Sequence, residues 1–258
     1  MNWWIVLLVT FFAGMGAGLG TGFAGMSAAA VISPMLITFL GMEPYTAVGV
    51  ALASDVLASA VSAWTYGKNG NLDIRNALVM LAAVLVFTMT GSWVSSVVSG
   101  AAMGGFSVFM TFLLGIRFIV RPVMITADTQ GDLDRSTRIR QSLIWGALIG
   151  FVCGFVGAGG GMMMLLVLTS FLGYSLKMAV GTSVFVMTFT ALTGALSHFA
   201  IGGLPDWTIL TLCVFFTLLW ARIAAVFANK ADPKTLNRAV GVVLVVLGIV
   251  ILGFQFLA

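Results

Sequence analysis

The chain has 258 residues, of which 60% are hydrophobic and only 8% are charged, and its formal net charge is +4. A water-soluble domain carries about 25% charged residues, so this composition excludes a soluble domain and indicates an integral membrane protein. Helices are predicted rather than a barrel, because an apolar helix satisfies its own backbone hydrogen bonds in lipid and short alternating strand segments are lacking.

Apolar stretches follow one another along almost the whole chain. Six of them are long enough to cross about 30 Å of hydrocarbon. They are residues 46–66, 76–98, 103–121, 178–200, 207–228 and 238–256. Two other apolar regions, 3–41 and 142–173, precede these two groups of three. Each is too long for one span and is interrupted by glycine-rich sequence, at 20–27 and at 157–161.

The two halves of the chain repeat each other at a spacing of 132 residues. The aligned glycines are Gly14, Gly18, Gly22 and Gly25 in the first half and Gly146, Gly150, Gly154 and Gly157 in the second. The alignment needs no gap from residue 14 to residue 72. A repeat whose apolar segments are interrupted by glycine at matching places is typical of a transporter binding site.

The basic residues decide how the interrupted regions cross the membrane. If each region is a hairpin that returns to its starting side, all twelve Lys and Arg residues lie in cytoplasmic segments, as the positive-inside rule requires. If each is a single kinked span, the two halves demand opposite orientations. The hairpin interpretation gives each half an odd number of crossings, so the second half is inserted upside down.

The predicted fold is therefore an all-α integral membrane protein with an inverted-topology repeat. Each half is a broken, re-entrant-like helical hairpin followed by three transmembrane helices. The halves are residues 1–121 and 142–258, joined by a cytoplasmic linker at 122–141, and both termini lie outside. We expect hairpin arms of about 12–17 residues that turn near the middle of the bilayer.

The glycine-rich turns are the predicted binding site. The second arm of each hairpin begins at the turn, so its free amides and positive dipole end would face the membrane centre and attract an anion. Ser and Thr on the following helices would line the same space, although such hydroxyls also bond back to their own helix. The predicted substrate-binding residues are Gly22, Gly25, Ser27, Ser54, Gly157, Gly159, Gly160, Gly161, Thr182, Ser183 and Thr188. Close helix packing is the alternative for Gly22 and the glycines before it.

Three other residues have predicted roles or positions. Asp55 lies near the middle of its span, where carboxylates mark ion or proton pathways, and it is the predicted proton-coupling residue. Its repeat mate is Met187. Arg222 would either snorkel to the inner surface or attract anions at the inner mouth. His198, the only histidine, is expected at an outer helix end as an interfacial residue.

The motifs together resemble the sulfite exporter TauE/SafE family of membrane permeases. The resemblance rests on Gly-Ala-Gly-Gly-Gly at 157–161, Ala-Val-Gly-Thr-Ser at 179–183, Ser-Pro-Met-Leu at 33–36 and Trp-Thr-Tyr at 64–66. It implies transport of a small sulfur-containing anion, such as sulfite or an organosulfonate like sulfoacetate, across the bacterial inner membrane.

The predicted function is a secondary transporter that works by alternating access, with proton coupling through Asp55. The alternatives are an anion channel, a carrier of a non-sulfur carboxylate and, remotely, an intramembrane serine protease that uses Ser27 and His198. No cofactor, metal site or nucleic-acid partner is predicted. The partners are the small anion and the lipid bilayer.

Overall fold

The structure is a computed structural model that describes residues 3–98, 134–157 and 160–230, together with the isolated positions 232, 238, 245 and 249. Within these residues it has eight helices and no strand. The helices are α1 (Trp3–Ala24), α2 (Ala29–Leu40), α3 (Pro44–Lys68), α4 (Ile74–Ser96), α5 (Arg135–Val156), α6 (Gly160–Ser170), α7 (Leu176–Gly202) and α8 (Trp207–Lys230). Five of them, α1, α3, α4, α7 and α8, are long and apolar enough to cross a membrane. The predicted all-α membrane fold is confirmed.

The simple spans agree closely with the sequence prediction. Helices α3, α4, α7 and α8 begin and end within two residues of the four predicted spans that fall in the described part of the chain. The predicted span 103–121 lies outside the described residues. The last predicted span, 238–256, is described only at three isolated positions.

The interrupted regions have longer first arms than predicted. Helices α1 and α5 have 22 residues each, which is about 33 Å at 1.5 Å per residue, so the expected 12–17 residues is wrong for both. The second arms, α2 and α6, have 12 and 11 residues. Helix α5 begins at Arg135, inside the predicted linker, because the Asp134 side chain accepts a hydrogen bond from the Ser136 amide and caps the helix.

The chain reverses direction between α1 and α2, at the first break (residues 25–28), and between α5 and α6, at the second break, which begins at Gly157. The end of α1 lies beside Tyr66, whose hydroxyl donates to the Gly22 carbonyl at 3.1 Å. The start of α2 lies beside Asp55, which accepts from the Ala28 amide at 3.0 Å. These two positions on α3 are 11 residues, or about 16 Å, apart. Between the end of α1 and the start of α2, the chain therefore moves back toward the start of α3.

The second half makes the equivalent turn. The carbonyl of Gly154, near the end of α5, lies 3.1 Å from Nε2 of His198. The first residue of α6, Gly160, lies beside Met187, whose Sδ is 3.5 Å from the position of an added Cβ. Met187 is again 11 residues before His198 on α7. The predicted helical hairpin is thus present in both halves.

Each half packs its first helix against the fourth helix of the other half. The glycine stripe of α1 lies against α8, where a Cβ on Gly18 would approach the Ala221 amide to 2.7 Å. The matching stripe of α5 lies against α4, where a Cβ on Gly150 would collide with the Val84 carbonyl. Small residues allow this close approach of helix backbones. The fourth helix of each half therefore covers the first helix of the other.

At the centre, α3 packs on its repeat mate α7. Gly49, near the start of α3, lies against Phe199 near the end of α7, and Tyr66 lies against Gly181 near the start of α7. The two helices therefore run antiparallel. Both breaks lie beside this central pair.

Candidate functional site

Each break begins with a glycine that ends a helix in the left-handed conformation. Gly25 has φ +62° and its amide donates to the Thr21 carbonyl at 3.0 Å. Gly157 has φ +72° and its amide donates to the Cys153 carbonyl at 2.7 Å. Glycine is favoured here because other residues carry a Cβ that is strained at positive φ. These two glycines are repeat mates, so the same local geometry turns the chain in both halves.

The two breaks contact each other directly. The Ser27 hydroxyl donates to the Gly157 carbonyl at 2.9 Å. The Gly161 backbone lies so close that a Cβ there would collide with the Gly25 carbonyl and approach the Ser27 amide to 2.8 Å. The Ser183 hydroxyl lies 3.3 Å from the carbonyl oxygens of Gly25 and Gly161. The structure therefore brings these five predicted site residues together between the halves.

At the first break, a carboxylate of the chain itself faces the positive end of α2. Asp55 is fully buried, and its Oδ2 accepts from the amide of Ala28, the N-cap of α2. Its Oδ1 accepts from the Ser59 hydroxyl at 2.7 Å. A negative charge at a helix N-terminus is stabilised by the free amides and the helix dipole. The positive end of α2 is therefore already paired with an anion.

The second break has a different electrostatic character. The position equivalent to Asp55 is Met187, a fully buried thioether that lies beside Gly160. Among the residues that the structure describes, no side chain accepts a hydrogen bond from the amides of Gly160 or Gly161. Gly159, another predicted site residue, lies outside the described residues. In the described part of the chain, no carboxylate is hydrogen-bonded to the positive end of α6.

Several predicted site residues lie elsewhere. Gly22 is packed against α8, where a Cβ would lie 2.5 Å from the Ala221 carbonyl. Ser54 donates only to Val50, one turn earlier in its own helix. Thr182 accepts from the amide of Asp73 at 3.1 Å, so it ties α7 to the loop between α3 and α4.

Two more predicted residues lie on the outside of the helix bundle. Thr188 donates to the Val184 carbonyl and lines a cavity of about 460 Å³ between α3 and α7, with Trp64 at its rim. Arg222 is exposed, whereas its neighbour Ala221 faces α1. These positions separate both residues from the contact between the breaks.

His198 lies near the end of α7, as expected, but the sequence did not predict its burial. It is only 1% exposed, so its assignment as an interfacial residue is wrong. Its Nδ1 lies 3.2 Å from the Tyr45 carbonyl, and its Nε2 lies 3.1 Å from the Gly154 carbonyl. Neither nitrogen contacts Ser27, whose hydroxyl bonds to Gly157 instead, and this arrangement disfavours a serine protease.

The repeat itself carried the signal that would have located His198. Tyr66 and His198 are repeat mates, and so are the glycines that they contact, Gly22 and Gly154. Since the two contacts join equivalent positions of the repeat, the Tyr66–Gly22 contact predicts the His198–Gly154 contact.

Two polar contacts join the halves at one end of the bundle. The Tyr174 hydroxyl donates to Asp73 at 3.0 Å, and Asn71 donates to the Asn229 side chain at 3.0 Å. Within the second half, the Lys177 ammonium donates to the Asn229 carbonyl at 2.8 Å. Within residues 3–98, 134–157 and 160–230, no group of three His, Cys, Asp or Glu side chains is arranged to hold a metal ion.

Comparison with known proteins places the chain in a family. A family model described as "Sulfite exporter TauE/SafE" matches residues 10–251. A probable membrane transporter protein of Bacillus subtilis (strain 168), YdhB, is 22% identical over 248 residues, which cover 96% of this chain and 99% of the relative. A probable membrane transporter protein of Haemophilus influenzae is 26% identical over 244 residues, which cover 93% and 91% of the two chains.

A third relative is a second probable membrane transporter protein of Bacillus subtilis, YunE. It is 24% identical over 244 residues, which cover 90% of this chain and 89% of the relative. No solved structure gives a significant match. Because the family model covers nearly the whole chain and the apolar helices agree with a multi-pass membrane protein, this protein belongs to the sulfite exporter TauE/SafE family.

Proposed function

We propose that this membrane transporter carries a small sulfur-containing anion, sulfite or an organosulfonate such as sulfoacetate, by alternating access between its halves. The observation that carries the proposal is the asymmetry of the breaks. Helix α2 begins at the carboxylate of Asp55, whereas the equivalent neighbour of α6 is the uncharged Met187. The family description, which names sulfite, supports the substrate class.

The anion site lies at the second break. The amides of Gly160 and Gly161 begin α6, and its positive dipole end favours a negative charge without any lysine or arginine. At the first break, the charge of Asp55 has already satisfied the corresponding end of α2 and repels a second anion. A single anion therefore binds per transport cycle, and it binds in the second half.

Access to this site requires the breaks to separate. In this structure Ser27 bonds to Gly157, and Gly161 lies directly against the first break. An anion that reaches the α6 amides displaces these contacts. Movement of one half against the other then opens the site alternately to the two sides of the membrane.

The halves are inserted in opposite orientations. Two features support this arrangement: α3 packs antiparallel on α7, and the first helix of each half, α1 or α5, packs on the fourth helix of the other half. With the positive-inside rule, the proposed orientation has both termini outside and the 122–141 segment in the cytoplasm of a bacterial inner membrane. The contacts of Lys177 and Asp73 then lie at the cytoplasmic end.

Proton coupling through Asp55 is part of the proposal. Both of its carboxylate oxygens accept hydrogen bonds, one from Ala28 and one from Ser59. A proton bound to Oδ2 would replace the bond from Ala28, so protonation would free the start of α2. Asp55→Asn should abolish uphill uptake driven by a pH gradient while anion exchange remains measurable. Unchanged pH-driven uptake would contradict this role.

The substrate class is tested by ligand-dependent stability of the purified protein. Sulfite, thiosulfate, sulfoacetate, sulfolactate and matched carboxylates are each added, and the Tm of unfolding in detergent is recorded. A ligand that binds only the folded state raises the Tm with its concentration. We expect stabilisation by sulfur oxyanions or sulfonates. Stabilisation by carboxylates alone would overturn the proposed substrate class.

A further inference from the structure

The buried ring of His198 faces two hydrogen-bond acceptors. Its Nδ1 lies 3.2 Å from the Tyr45 carbonyl, and its Nε2 lies 3.1 Å from the Gly154 carbonyl. A carbonyl oxygen cannot donate, so each contact needs a proton on the ring nitrogen. A neutral imidazole has one N–H and a charged imidazolium has two. Only the doubly protonated ring satisfies both contacts.

The surroundings of the ring offset part of the cost of burying a charge. Burial opposes the imidazolium, but the two carbonyl dipoles point their negative ends at it. The Tyr45 ring lies against it with the centroids 4.1 Å apart, within reach of a cation–π interaction. Glu43, the N-cap of α3, adds a favourable electrostatic interaction.

The other helices packed against the ring bring no further charge to it. Helix α4 contributes Ser92, whose hydroxyl lies 3.3 Å from the Gly154 carbonyl that His198 also contacts. On α5, the thiol of Cys153 lies against Gly160 instead. Glu43 and Tyr45 are therefore the titratable groups that face His198 from the helices described around it.

The ring connects three helices at the entrance to the second break. It joins α7 to the start of α3 through Tyr45 and to the end of α5 through Gly154, three residues before Gly157. If the ring loses a proton, one of these two connections loses its donor. The end of α5, or the start of α3, is then free to move relative to α7.

The first half lacks this dependence on a proton. Tyr66, the repeat mate of His198, makes the equivalent contact by donating its hydroxyl to Gly22. A tyrosine hydroxyl has one proton to donate and keeps it near neutral pH. Of these two repeat-mate positions, only His198, in the half where the proposed anion site lies, makes its contact depend on a titrating proton.

We propose that His198 is a proton-binding site that is doubly protonated in this conformation and that links proton release to separation of α5 or α3 from α7. Its role in transport rests on the proposed function, whereas its protonation state does not. The ligand is the proton itself, and His198 adds a second proton site to Asp55.

The protonation state is tested by nitrogen NMR on the intact protein. Because the chain has a single histidine, protein labelled with 15N-histidine and purified without a histidine tag gives one pair of ring signals. In liposomes at mildly acidic pH we expect both nitrogens to carry protons, and one proton to be lost as the pH is raised. A ring with one protonated nitrogen throughout about pH 5–8 would overturn the proposal.

Transport assays test the coupling role separately. His198→Gln keeps one amide donor but cannot titrate, so we expect it to retain anion exchange and lose uptake driven by a pH gradient. Tyr66→Phe, the matched control, should retain both activities. Full pH-driven uptake by His198→Gln would overturn the coupling role. If the wild-type protein exchanges no anion, the proposed function fails, and the NMR titration still decides the protonation state.

If His198→Gln does not fold, stability measurements on the wild-type protein replace the variant. The proposal then requires the Tm of the wild-type protein to change over the same pH interval in which the NMR signals report loss of the second proton. Coincidence of the two transitions supports the connection between proton and packing, and a Tm that is constant across that interval contradicts it.

Discussion

Ser27 donates a hydrogen bond from its hydroxyl to the Gly157 carbonyl over 2.9 Å, and this bond joins the turn of one half to the turn of the other. The residues are 130 positions apart in sequence and belong to opposite repeats. Both lie in backbone that leaves the helical path. The contact therefore holds closed the place where, in our proposal, the anion binds.

Ser27→Ala removes this connection and should lower the free energy of unfolding by about 1 kcal/mol, the usual contribution of a buried neutral hydrogen bond. Thermal unfolding in detergent measures the change. Ser54→Ala is the matched control, because the Ser54 hydroxyl bonds only to Val50 in its own helix. We expect a change within about 0.5 kcal/mol for the control. Equal losses for the two variants would contradict a specific connection between the breaks.

Asp55→Ala leaves the Ala28 amide and the Ser59 hydroxyl without their acceptor. Each unsatisfied buried group costs about 1–3 kcal/mol, so we expect a loss of stability of that order or more. Asp55→Asn keeps an acceptor oxygen and should lose less. Thermal unfolding of the two variants side by side decides the point. A variant Asp55→Ala that is as stable as Asp55→Asn would show that the cap of α2 contributes little.

Met187→Asp introduces a carboxylate at the second break, in the position that Asp55 occupies at the first. If the α6 amides bind the substrate anion, the new charge competes with it, and like-charge repulsion should weaken binding by about tenfold or more, or 1.4 kcal/mol. The measurement is the anion concentration that gives half-maximal stabilisation. Met187→Asn controls for polarity and should bind more tightly than Met187→Asp. Equal affinities for the two variants would place the anion elsewhere.

Gly161→Ala adds a Cβ that collides with the Gly25 carbonyl, so it should force the breaks apart and cost about 1–3 kcal/mol as an overpacked position does. Gly20→Ala is the control. A Cβ at Gly20 meets only the flexible Met26 side chain, at 3.4–3.6 Å, and alanine favours a helix by about 0.5–1 kcal/mol over glycine. Thermal unfolding should therefore rank Gly20→Ala above Gly161→Ala. The reverse order would mean that the breaks are not held in close contact.

Comparison of the predicted and observed helix ends shows that hydropathy locates some helix ends and misses others. Helices α3 and α7 were predicted within two residues because their apolar runs end where the charged and polar loops begin. Helix α5 was placed too late, since its first turn carries Arg135 and Arg138 and resembles a loop in composition. Its true start depends on a cap by Asp134, a local hydrogen bond that hydropathy does not detect.

The site was harder to predict because it depends on contacts between distant segments. The turns at Gly25 and Gly157 follow from local glycine chemistry, and the repeat identified them. The pairing of Asp55 with Ala28 and the burial of His198 depend on how α3 and α7 pack against the breaks. Hydropathy locates those residues along their helices but does not show which neighbour faces them.

The most direct test of the central claim is counterflow of a labelled sulfur anion into proteoliposomes. Vesicles that contain the purified protein are loaded with unlabelled sulfite or sulfoacetate, and uptake of the labelled anion is followed. If the protein works by alternating access, uptake should saturate, be stimulated by anion on the opposite side and be lost in Met187→Asp. Uptake that does not saturate and is indifferent to internal anion would instead indicate a channel and contradict alternating access.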